Sequence, residues 1–101
     1  MPQHRITGTL ARAAEVRVCL GGAYVLDLEL EQISAADPHP IVCRRQYGHG
    51  SSAAIAAHSA ATHLRQGTRV EVWCVGIAPG ATATAEPAIA LRGVDHINRL
   101  A

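Results

Sequence analysis

Apolar and polar positions alternate most cleanly in "AYVLDLELEQ" at 23–32. Tyr24, Leu26, Leu28 and Leu30 fall on one face, and Val25, Asp27, Glu29 and Glu31 on the other. A period of two is that of a half-buried strand. The preceding "LGG" at 20–22 is a hairpin turn signal. Upstream, "RITGTLARAAEVRV" at 5–18 reads as one long interrupted strand, and Gly8 inside it predicts a bulge or sharp bend.

Downstream, "SAADPHP" at 34–40 predicts a loop. "IVCRRQY" at 41–47 predicts a third strand, with Ile41, Cys43, Arg45 and Tyr47 on one face and Val42, Arg44 and Gln46 on the other. Neither face is wholly apolar, so one side is expected to be wet. After "GHG", Ser51 or Ser52 is the expected helix cap, through a hydroxyl that accepts a free backbone N–H. Ala53, Ala57, Ala60, Ala61 and Leu64 then recur at helical spacing and predict a helix packed close to the sheet. Gly67 is placed just past its end. A fourth strand is predicted at 68–77, a small-residue loop at 78–88, and a fifth strand at 89–97 with a bulge at Gly93.

Composition adds less than pattern. The 101 residues suit one domain, spanning 1–101, and at 49% apolar a packed core is within reach. The net charge of +1 points to no partner by itself. All nine cations are Arg, which contacts phosphate bidentately and stacks on flat rings. A GC-rich genome would produce the same bias. Cys19, Cys43 and Cys74 are odd in number and form no CxxC, which argues against zinc and for a reducing compartment. No apolar signal region or bilayer-length run is present, so the expected location is cytoplasmic, with no membrane contact. The six His, three Cys and eight acids match no catalytic or metal-binding spacing, so neither an enzyme nor a cofactor is expected.

The predicted order is strand, strand, strand, helix, strand, strand. That is the order of an OB-fold, a five-stranded Greek-key barrel with its helix between strands 3 and 4. The expected fold class is therefore all-β with one helix. The residues also resemble the bacterial single-stranded DNA-binding protein family. Gly8, Leu10, Arg12, Glu15, Val16 and Arg17 match its opening in order, and Leu64, Arg65, Gly67, Thr68 and Val70 match its helix-to-fourth-strand junction. In size the chain is closest to the primosomal replication protein N branch. The resemblance implies a dimer that binds single strands, works with replication proteins, and takes part in replication or restart. Ile41 stands where the family often carries Trp.

Single-strand binding needs flat rings for bases and cations for phosphates. The candidates are Arg12 and Arg17 around the bend of strand 1, Arg44, Arg45 and Tyr47 on strand 3, and Arg69 and Trp73 on strand 4. Other readings stay open at two of them, and Tyr24 is set aside. Trp73 would equally suit a core or a dimer interface, Tyr24 suits the core, and Arg44 would pair with an acid on strand 2 such as Glu29. The alternative function is the same barrel acting as a protein-interaction module with its nucleic-acid surface lost.

Overall fold

A computed structural model describes residues 3–31 and 39–100. In chain order the elements are β1 (His4–Leu10), β2 (Glu15–Val18), β3 (Tyr24–Glu31), β4 (Ile41–Gly48), α1 (Gly50–Thr62), β5 (Arg69–Cys74), β6 (Gly76–Ala81), β7 (Pro87–Arg92) and β8 (His96–Arg99). The protein is mostly β with one helix. It has eight described strands rather than the expected five, in a sheet ordered β6-β7-β4-β3-β1-β5-β8, with β2 on β3. That path is open, ending at β6 and β8. All pairs are antiparallel except β4 with β7.

Three expected strands are each divided. The first breaks at 11–14 into β1 and β2. Gly8 is not the bend, because it pairs regularly with Val70. It serves close approach instead: a Cβ there would lie 2.9 Å from the Glu31 carbonyl oxygen and 3.2 Å from the Leu30 Cβ. The fourth and fifth strands break at Val75 and at 93–95, where Gly93 takes φ +63. The 78–88 segment is not a loop. It contributes to β6 and β7, joined by a tight turn at 82–86. There the Thr82 N–H donates to the Glu86 carbonyl at 2.9 Å, and the Thr82 hydroxyl accepts the Glu86 N–H at 3.1 Å. Backbone pairing holds this hairpin although Ala, Gly and Pro are poor strand formers.

The "LGG" turn is present. The Cys19 N–H donates to the Ala23 carbonyl at 2.8 Å, and Gly21 and Gly22 have φ +92 and +85. Helix α1 begins at Gly50, two residues earlier than a Ser51 cap would allow. His49 is its N-cap and makes no side-chain cap bond. The helix ends at Thr62, so Gly67 is not its terminator; Gly67 sits in a separate turn and donates its N–H to the Leu10 carbonyl at 2.8 Å. The expected stripe does face inward: Ala53 and Ala57 are buried, and Ala60 and Ala61 pack against the core. Positions 34–38 of the expected 34–40 loop lie outside the described residues.

The core gathers Leu10 from β1, Leu26, Leu28 and Leu30 from β3, Ile41 and Cys43 from β4, Val70, Val72 and Cys74 from β5, and Leu91 from β7. Leu64 closes it from the segment after α1. Tyr24 departs from its leucine neighbours and is only half-buried, because the register of β3 against β4 shifts between Tyr24 and Val25.

Candidate nucleic-acid interface

The wet side expected for 41–47 is the β4 face of Val42, Arg44 and Gln46, where Arg44 and Gln46 are exposed. On β3, Asp27 and Glu29 point away from the leucines, and the register places Asp27 between Glu15 of β2 and Arg44 of β4. The β6–β7 hairpin stands opposite. Between hairpin and sheet lies a groove of about 490 Å³. Its sheet wall includes Arg12, Glu15, Arg17, Asp27, Glu29 and Arg44, and its hairpin wall is Gly80, Ala81, Thr82 and Ala83. Small residues are required on that wall. A Cβ at position 80 would sit 2.8 Å from the Ala90 Cβ, so only Gly lets the two hairpin strands lie this close.

The charged groups form a lattice. Arg44 bonds Asp27 through two nitrogens, at 2.7 and 3.2 Å. Arg17 reaches the same carboxylate at 2.7 Å and Glu15 at 3.3 Å. Arg12 lies 3.2 Å from Glu15 and 4.0 Å from Glu29. Three guanidiniums thus meet three carboxylates. The partner of Arg44 is Asp27 rather than Glu29, since Asp27 is the residue directly opposite. The Asp27 hydrogen bond raises the Arg44 pKa above its ordinary value, overcoming the opposing effect of burial. About half of each arginine side chain remains open to solvent. Such exposed pairs contribute only ~0–1 kcal/mol each to stability.

The seven candidates divide among three places. Arg12, Arg17 and Arg44 line the groove. Arg45 and Tyr47 project to the other side of β4, where the Arg45 guanidinium lies 5.1 Å from the Tyr47 ring centre and Tyr47 packs on the core. Arg69 and Trp73 stand on β5, outside the groove. The half-buried Trp73 donates its indole N–H to Glu71 at 3.1 Å, and Arg5 lies 5.8 Å over its ring. Sequence reasoning did not single out Arg5, Glu15 or Asp27. The signal for the acids was the polar face of β3; the signal for Arg5 appears only once β1 is laid beside β5 with Arg5 opposite Trp73.

Among the described residues, no cluster of three His, Cys, Asp or Glu is placed to hold a metal ion, and no helix is long and apolar enough to cross a membrane. The Cys43 thiol is buried at the edge of the groove. Burial, then the neighbouring Asp27 charge, push its pKa from 9.0 up to about 12. Burial likewise raises Cys74. A folded-state pKa above the unfolded one favours folding fully below pH 9, and that contribution is lost as pH rises toward 12. A rise from 9.0 to about 12 is worth at most ~4 kcal/mol. Urea melts between pH 8 and 11 should show stability falling with pH, and Cys43→Ala should flatten that fall. Equal slopes in both proteins would disprove the assignment.

No protein-family model matches the chain, and no curated protein matches it in sequence.

Proposed function

We propose that this protein is a small OB-type barrel that binds single-stranded DNA along the groove between the β6–β7 hairpin and the β2–β3–β4 face, in replication or replication restart. Two features support the architecture. The Val75 N–H donates to the Arg92 carbonyl at 2.9 Å, and the Asp95 N–H to the Trp73 carbonyl at 3.1 Å. These bonds bridge the β5–β8 and β6–β7 ladders, so 69–81 and 87–99 act as two long bent strands. Counted that way, with β1 and β2 as one, the eight described strands group into five, and the parallel β4–β7 pair would join the third to the fifth. The helix falls between the third and fourth, which is the OB order.

The observation that carries the functional reading is the groove itself. Guanidiniums from the β1–β2 bend, β2 and β4 converge on one open channel, each held by a carboxylate that a phosphate can replace. The hairpin wall, built of methyls and backbone, leaves room for a strand. The expected path involves Arg12, Arg17 and Arg44, with no ring among the residues lining it. Binding without stacking is weak and electrostatic.

Anisotropy of a dye-labelled oligo-dT at low salt tests this. Micromolar binding is expected, with log K falling against log salt at a slope of roughly −2, from three phosphates at about −0.7 each. Absence of binding at high micromolar protein would refute it. A second reading, a protein-interaction module, draws support from the self-neutralised groove and from exposed Val18, Leu20, Val75 and Ile77. It predicts no oligonucleotide binding at any salt.

A further inference from the structure

A second cavity, of about 160 Å³, opens on the helix side of the sheet. It lies where the sheet wall is incomplete. The β4–β7 ladder runs only from Ile41 to Cys43, and β8 pairs only with β5. The rest of β4 and all of β8 therefore flank an unpaired gap. Arg45 and Tyr47 enter the cavity from β4, Arg99 from β8, and His63 from the end of α1. Leu26, Leu64, Ile97 and Ala60 complete the lining.

The charge pattern differs from that of the groove. Among the described residues, two guanidiniums line this cavity and no carboxylate does. Arg45 is half-buried over the Tyr47 ring, which holds its guanidinium plane while leaving N–H groups free to donate. The end of a helix carries partial negative charge, which would repel an anion. Here the Ala60 and Ala61 carbonyls are bonded by the N–H groups of His63 and Leu64, at 3.2 and 3.1 Å. Arg45 is half-buried and Arg99 exposed, so both guanidiniums stay within reach of an anion arriving from solvent.

We propose that this cavity binds a phosphate monoester. Two guanidiniums on opposite walls suit a dianion, and Tyr47 and His63 add donors of their own. A monoester offers three terminal oxygens to such a set, where a carboxylate offers two. The partly exposed Ile97 and Ala60, backed by buried Leu26 and Leu64, receive the carbon side of the ester. The space equals roughly five waters at about 30 Å³ each, enough for a phosphate and a short carbon stem. Such a group is supplied by a free small phosphate ester or by the 5′ end of a nucleic-acid strand.

The site is separate from the groove, so its test needs no strand binding. Inorganic phosphate is titrated at constant ionic strength, and the His63 and Tyr47 ring signals are followed by NMR. Saturable shifts at both rings are expected, with half-saturation near or below ~1 mM. Arg99→Gln, at an exposed position, and Arg45→Gln should each weaken binding about tenfold or more; Arg92→Gln, an exposed residue outside the cavity lining, should leave it intact. No saturable shift, or shifts unchanged in both cavity variants, overturns the proposal. Octa-dT with and without a 5′-phosphate then separates the two sources. A gain in affinity for the phosphorylated strand at these rings assigns the site to strand ends. Equal weakness of both strands beside good binding of inorganic phosphate assigns it to free esters.

Discussion

Leu30→Ala is expected to lower the unfolding free energy by about 2–5 kcal/mol, the range for emptying a well-packed aliphatic site. Leu30 is fully buried and stands in a cross-strand row with Leu10 of β1 and Ile41 of β4, both 1% exposed. Its other neighbour is the backbone crossing at Gly8, where a Cβ would already be too close. Backbone on that side cannot move in to fill the space, so the cost should fall in the upper part of the range. For a domain of this size, total stability is only about 5–15 kcal/mol, and each kcal/mol shifts Tm by roughly 4–8 °C. A drop of at least ~10 °C in a circular dichroism melt is the expected result. Leu20→Ala is the control: Leu20 is fully exposed at the hairpin tip, and its change should stay within about 0.5 kcal/mol. Similar melts for the two variants would mean that the row is not the core.

The second large effect concerns Asp27. This single carboxylate holds both Arg17 and Arg44, at 2.7 Å each. Asp27→Asn removes its charge while keeping its shape, which frees the Arg44 guanidinium, leaves Arg17 with Glu15 alone, and gives the groove a net positive charge. If the groove binds single strands, the variant should bind oligo-dT about tenfold more tightly at low salt, near 1.4 kcal/mol. The gain should shrink as salt rises. Arg44→Ala should act in the opposite direction, since it removes a cation and leaves Asp27 satisfied by Arg17. The opposed signs are the informative part. General destabilisation would weaken both variants, and a groove that never meets phosphate would leave both unchanged. Either outcome would count against the nucleic-acid reading.

The sequence made the local elements readable and their joints less so. The alternation over 23–32 gave β3 because every second residue there is leucine, and Gly21–Gly22 gave its turn because both need positive φ. The alanine stripe gave the inward face of α1. The divisions at 11–14, Val75 and 93–95 were not readable, since they follow from how strands curve around the core. The β6–β7 hairpin was only partly readable: Ile89 and Leu91 marked most of β7, whereas the end of β6 at 78–81 carries only Ala, Pro and Gly and is set by its backbone pairing with β7. For the site, residue type indicated which arginines to consider, and strand alternation placed Arg44 and Arg45 on opposite faces. Pairing Arg44 with Asp27 required the register, which a single sequence leaves open by two residues in either direction. Arg99 and His63 were passed over because the cavity they share exists only once α1 and β8 meet β4.

Pro79 has a bearing on solubility. It lies in the middle of β6, the terminal strand of the sheet, beside exposed Ile77. An outer strand with a greasy side chain invites a neighbouring molecule to zip onto it and begin a fibre. The proline ring has no amide hydrogen to offer such an incoming strand, so a zipper begun at Gly76 would lose a rung within three residues. Exchanging that ring for valine would remove the safeguard, leaving the native molecule's interior untouched while making its concentrated solutions prone to gel.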